Sequence, residues 1–138
     1  EFLELLIFDI KAGFLDSSQE YIRVILDVEP IVLTVDRAIP CGLIINELIT
    51  NAIKHAFPPE QYSGIDKRVH LFFKKIDRYL VFGVEDNGRG LPDDYLEHRT
   101  ASLGIELITI LTQQLNGTLT FYSPEKTSGS RISIRIPE

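Results

Sequence analysis

The sequence has little cysteine, no basic excess and no long apolar run. Cys41 is its only cysteine in 138 residues. No disulfide can therefore form within the chain, which fits a reducing compartment. Asp and Glu number 20 against 14 Lys and Arg, for a formal net charge of −6. A basic surface of the kind that supports non-specific nucleic-acid binding is missing. No stretch reaches the roughly 18 consecutive apolar residues of a membrane span. The opening Glu1, Phe2, Leu3, Glu4 lacks the basic start of a signal peptide. A cytoplasmic location is expected, without membrane insertion by this segment. His55, His70 and His98 show no ligand spacing with Cys41, which speaks against a zinc site.

What is there suits one domain over 1–138. Hydrophobic residues make up 44% and charged residues 25%, enough for a core without a metal or disulfide staple. The chain starts abruptly on apolar residues, as a domain cut from a longer protein would. Leu3, Leu6, Ile7, Ile10 and Phe14 share one face of an expected helix over 1–15. Alternation predicts a strand over 21–28, and a second is expected over 31–35 after the Glu29-Pro30 turn. Asp36 is the expected N-cap of a long helix running to about Phe57. Strands over 67–76 and 79–86 are joined by Asp77-Arg78, a hairpin signal. Pattern then vanishes from Asn87 to Ser102, a loop long enough to be functional. A helix over 103–115 stops at Asn116-Gly117, and strands over 118–123 and 131–136 follow. Hairpins with separate helices predict an α+β fold, a two-layer α/β sandwich with helices on one face of a mixed, mostly antiparallel sheet.

The long helix holds the most informative stretch. Ile45, Leu48, Ile49, Ala52, Ile53 and Ala56 follow helical spacing toward a core. Glu47, Asn51, Lys54 and His55 fall on another face, three or four residues apart. An ordinary solvated helix face looks similar. Two asparagines, which helix propensity does not favour, point instead to a stripe that lines something. Asn51 offers an oxygen of the kind Mg²⁺ accepts beside phosphates and water. Glu47, one turn earlier, is placed to orient a nucleophile or act as base in phosphoryl transfer.

Asp86, Asn87, Gly88, Arg89 and Gly90 follow a strand directly. Asp86 is in phase with Leu80, Phe82 and Val84, so its carboxylate is aimed at the sheet's interior side. There it needs a donor, such as the exocyclic amine of a purine. The alternative is a glycine-rich turn bearing a surface Asp. Ser130 is in phase with Ile132, Ile134 and Ile136, which points its hydroxyl inward as well, unless it is simply a turn residue after Gly129. Ser102, Leu103 and Gly104 open the third helix. Its N-terminus offers free N–H groups to a phosphate, or Ser102 is an ordinary N-cap. Arg89, His98 and Arg99 are the cations of the preceding loop.

In this order the pieces resemble the catalytic and ATP-binding domain of sensor histidine kinases, in the superfamily shared with gyrase, Hsp90 and MutL. Asn46, Glu47, Leu48, Asn51, Ala52, Lys54 and His55 resemble its N box, and Asp86 to Gly90 its first glycine box. Ser102, Leu103 and Gly104 resemble a reduced second box, and Gly129-Ser130 the Gly-Thr before the final strand. The resemblance implies a Bergerat ATP-binding fold with ATP and Mg²⁺ as cofactors and residues 87–102 as lid. It implies Asn51 as the Mg²⁺ ligand and Glu47 beside an acceptor histidine, with Lys54 and His55 near the phosphates or the closing lid. Asp86 is implied at the adenine amine with Gly88, Gly90 and Ser130 around it, and Gly104 with Ser102 and Leu103 at the triphosphate. The expected reaction is transfer of the γ-phosphoryl to a histidine on a separate helical segment, for relay to a response-regulator receiver domain. Residues 1–16 are placed as the connecting helix from that segment or as the domain's own first helix. The alternatives are a serine kinase of the anti-sigma type and a non-catalytic nucleotide-gated interaction module. Asn51 and Asp86 are expected to face a shared cavity sized for ATP.

Overall fold

The computed structural model describes residues 22–55, 67–88, 103–123 and 129–138. Its elements are β1 (Ile22–Val28), α1 (Val35–His55), β2 (Lys67–Ile76), β3 (Tyr79–Asp86), α2 (Leu103–Gln114), β4 (Thr118–Tyr122) and β5 (Ser130–Pro137). The five strands form one sheet in the order β1-β2-β3-β5-β4. β1 runs parallel to β2, and every other pair is antiparallel. The two helices pack on each other, α1 against β2 and β3 and α2 against β4. This is the α+β sandwich expected, with a mixed sheet.

The core lies between the layers. α1 contributes Ile44, Ile45, Leu48 and Ile49, each at most 1% exposed. Alternate residues of β2 and β3 meet them, with Phe73 stacked on Phe82 at 4.9 Å between ring centroids. Each such aliphatic burial contributes about 1.5–3 kcal/mol. Together they outweigh Pro40, which stands inside α1 and costs about 3 kcal/mol by removing one helical hydrogen bond.

Two expectations fail around the start of α1. No strand forms over 31–34, and α1 already begins at Val35. Glu29 N still donates to Phe73 O at 2.9 Å, after which Ile31 N turns back to Glu29 O at 2.8 Å. That turn takes the apolar residues off the sheet edge, and Ile31 and Leu33 pack on the core from a loop. Asp36 is not the N-cap. The Thr34 carbonyl accepts from Arg37 N and Ala38 N at 3.0 and 2.8 Å, so Thr34 holds the cap position and Asp36 lies within the first turn, where its charge suits the helix dipole.

α2 ends as the sequence signals. Asn116 takes the left-handed conformation at φ 55, Gly117 N donates to Thr112 O at 2.9 Å and Asn116 N to Gln113 O at 3.0 Å. This is a Schellman arrangement with Asn in the role glycine usually fills. Gly117 serves contact instead, since a Cβ there would meet Ile136 Cγ2 at 2.7 Å. The expected helix over 1–15 and nearly all of the 87–102 loop lie outside the described residues.

Candidate nucleotide site

The first cluster forms where β3 ends and β5 begins. Asp86 and Ser130 are register partners in that antiparallel pair, so the helix-facing phase of both strands finishes on a carboxylate beside a hydroxyl. Both are buried, at 9% and 8% exposure. An unpartnered carboxylate there would cost several kcal/mol. Instead Ser130 Oγ donates to Asp86 Oδ2 at 2.8 Å and Gly88 N donates to Oδ1 at 2.9 Å. Desolvation pushes the Asp86 carboxyl above its ordinary pKa, against the pull of the Ser130 hydroxyl and the Gly88 and Ser130 backbone, while neighbouring Glu85 adds to the rise. A carboxylate has about four acceptor positions. Three donors leave capacity for one more.

The turn beyond Asp86 is pinned. Asn87 Oδ1 accepts from Arg68 N at 2.7 Å, and Asn87 N donates back to Arg68 O at 3.3 Å. Across from it Gly129 sits at φ +95, and a Cβ there would lie 2.0 Å from the Asp86 carbonyl oxygen. Only glycine lets β5 start this close to β3. In the sequence Gly129 stands as a turn marker and, with Ser130, as the counterpart of the family's Gly-Thr pair. Its position directly before an inward-phased Ser130 was the available signal for a tighter role.

The second cluster joins the two helices. Glu47 and Asn51 lie one turn apart on α1, partly exposed beside buried Leu48 and Ala52. The first turn of α2 meets them: a Cβ on Gly104 would stand 2.5 Å from Glu47 Oε2 and 3.7 Å from Asn51 Nδ2. Glycine thus brings the positive end of the α2 dipole against a carboxylate and an amide, an arrangement favourable to negative charge. The donor set fits a hard divalent cation, which takes one or two protein oxygens and fills the rest from phosphate and water.

The remaining expected residues divide. Lys54 is exposed near the end of α1, and His55 is its last residue, with its side chain outside the described set. Gly88 is buried beside Asp86. Leu103 begins α2, with its side chain undescribed, while Gly90, Ser102, Arg89, His98 and Arg99 lie outside the described residues. The structure thus assembles Asp86 with Gly88 and Ser130, and Glu47 with Asn51 and Gly104.

Comparison with known proteins agrees with this architecture. Residues 37–138 match the family model of histidine kinase-, DNA gyrase B- and HSP90-like ATPases. The chain is 33% identical over 107 residues to the sensor histidine kinase PdtaS of Mycolicibacterium smegmatis, covering 77% of this chain and 21% of that protein. It is 28% identical over 116 residues to blue-light-activated histidine kinase 2 of Erythrobacter litoralis, covering 84% of this chain and 32% of that protein. It therefore spans about a fifth to a third of the length of these curated relatives. Among solved structures, the histidine kinase domain of Erythrobacter litoralis EL346 superposes with a TM-score of 0.79 at 27% identity, over 98% of this chain and 60% of that one. Full-length ShkA in complex with AMPPNP shares the fold, with a TM-score of 0.74 at 19% identity over 99% of this chain and 30% of that one. The chain belongs to the histidine kinase-, DNA gyrase B- and HSP90-like ATPase family and is an ATP-binding catalytic domain of the sensor histidine kinase type.

Proposed function

We propose that this domain binds Mg·ATP between its helix layer and the 87–102 lid and delivers the γ-phosphoryl to a histidine on a separate helical segment, for relay to a receiver domain. The observation that carries this reading is the approach of Gly104 to Glu47 and Asn51. It sets a helix N-terminus, a potential metal ligand and a potential base within one small volume. Phosphoryl transfer asks a protein for positioning and charge neutralisation more than for covalent chemistry.

In this reading Asp86 accepts a hydrogen bond from the adenine amine through its remaining acceptor position, with Ser130 and Gly88 fixing the carboxylate and Gly90 allowing close approach. The N–H groups opening α2, at Ser102, Leu103 and Gly104, face the triphosphate. Asn51 holds Mg²⁺ by its amide oxygen, and the bound cation supplies charge neutralisation at the phosphates. Glu47 orients the acceptor imidazole and takes up its proton, while Lys54 and His55, the last residues of α1, serve the phosphates or the closing lid. The AMPPNP complex of ShkA, a protein of the same fold, supports a nucleotide as the ligand.

The test pairs ATP affinity by calorimetry with radiolabel transfer to a separately supplied helical hairpin bearing a phosphoacceptor histidine. Glu47→Ala is expected to keep affinity and to slow transfer by about 10²-fold or more. Loss of affinity in proportion to loss of transfer would remove Glu47 from the chemical step.

A further inference from the structure

The sheet face turned away from the helices gathers cations on a chain whose net charge is −6. Arg131 and Arg135 of β5 project there with Ser133 between them. β4 sets Tyr122, Thr120 and Thr118 opposite these three in register. With Val81 they line an open groove of about 490 Å³. The Arg131 guanidinium lies 4.3 Å from the Phe72 ring centroid, and that of Arg135 4.6 Å from the Tyr79 centroid. Arg131 Nη1 is 3.7 Å from Glu85 Oε2, a loose pair between half-exposed side chains. Among the described residues no carboxylate stands within ion-pair distance of Arg135.

A guanidinium seated on an aromatic ring is preorganised, and its in-plane N–H fork matches a carboxylate. The same seating covers one face each of Phe72 and Tyr79 and leaves Tyr122 as the groove's one open ring among the described residues, where a run of nucleic-acid bases needs a series of them. The groove therefore suits carboxylates better than bases. The arginines are four residues apart on one strand, about 13 Å. An extended segment presents side chains on one side at every second residue, so acidic residues at i and i+4 reach both guanidiniums. A helix covers the same length in about nine residues, which turns its two carboxylates to opposite sides. Ser133, Thr118 and Thr120 supply hydroxyls along the floor between.

We propose that the outer face of β3, β5 and β4 is a docking groove for an extended acidic protein segment whose carboxylates are spaced four residues apart. The groove lies on the face of the sheet opposite the candidate nucleotide site.

The experiment uses the whole chain and fluorescence anisotropy of a labelled Thr/Val peptide with glutamates at i and i+4. Binding is expected, weakened roughly tenfold by Arg135→Gln and by replacing the peptide's glutamates with glutamine. Arg135→Lys is expected to recover part of the loss, because it keeps the charge without the fork. ATP affinity should stay unchanged in both variants. Absence of binding, indifference to Arg135→Gln, equal affinity for glutamates at i and i+3, or tighter binding of oligouridylate would each overturn the proposal.

Discussion

Ser130 Oγ and Asp86 Oδ2 are 2.8 Å apart across a buried strand pair. The hydroxyl thus shares with the Gly88 amide the task of orienting the innermost carboxylate of the candidate site. Ser130→Ala leaves that oxygen one donor short without opening a large cavity. The expected cost is about 1–3 kcal/mol of unfolding free energy, together with weaker nucleotide binding. Ser130→Thr should recover both. Urea unfolding and calorimetry on the two variants check this, and a Thr variant as impaired as Ala would count against the hydroxyl.

Asp86→Asn should separate stability from function. Burial raises the Asp86 carboxyl above its ordinary pKa, so the folded protein holds that proton more tightly than the unfolded chain. Its stabilising contribution is complete below the unfolded pKa and is lost as pH rises through the raised folded pKa. The asparagine variant does not titrate, and it should gain stability relative to wild type from acid toward neutral pH. Its nucleotide affinity should fall at least about tenfold, the value of a lost charge-assisted hydrogen bond. A variant that loses relative stability over that rise would reverse the sign.

Gly104→Ala should disturb chemistry more than folding. The new Cβ would press on Glu47 Oε2, the far end of a flexible side chain, while alanine favours the helix by up to about 1 kcal/mol. The melting temperature should hold or rise while phosphoryl transfer falls. A stable variant with full transfer would mean that the Glu47 position does not matter.

Gly129→Ala should have the opposite profile. Its φ of +95 and the 2.0 Å approach to the Asp86 carbonyl are backbone constraints that no side-chain shift relieves. Strain of about 1–3 kcal/mol is expected before the clash is counted, with nucleotide binding lost alongside. Thermal unfolding reads the first and calorimetry the second.

Cys41 should be silent toward thiol reagents in the native state. It is fully buried, and desolvation pushes its thiol up to about 11, so little thiolate forms near neutral pH. Labelling should follow global unfolding in urea. Rapid labelling of native protein would contradict the packing of α1.

Much of this was legible in the sequence because side-chain phase is a local signal. Alternation in 79–86 and 131–136 put Asp86 and Ser130 on the inward side, and the structure pairs them. Helical spacing likewise separated Leu48 and Ile49 from Glu47 and Asn51. The failures lie where backbone partners decide. Ile31, Val32 and Leu33 have strand-forming side chains, yet the chain turns at Glu29 and offers them no ladder. Thr34 outcompetes Asp36 as cap because the helix starts one residue before Asp36. Nor could phase alone reveal that β1 pairs parallel to β2, or that Gly104 rests on Glu47, since both join segments far apart in sequence.

The Asp86–Ser130 bond spans 44 residues, and β5 inserts between β3 and β4 rather than adding at a sheet edge. A ribosome-bound chain would present the residues of β2 and β3 well before the hydroxyl that steadies the terminal carboxylate of β3 had emerged. Completion of that end therefore awaits closure of the sheet's middle, and a ligand bound there would hold the late-arriving strand in place by mass action.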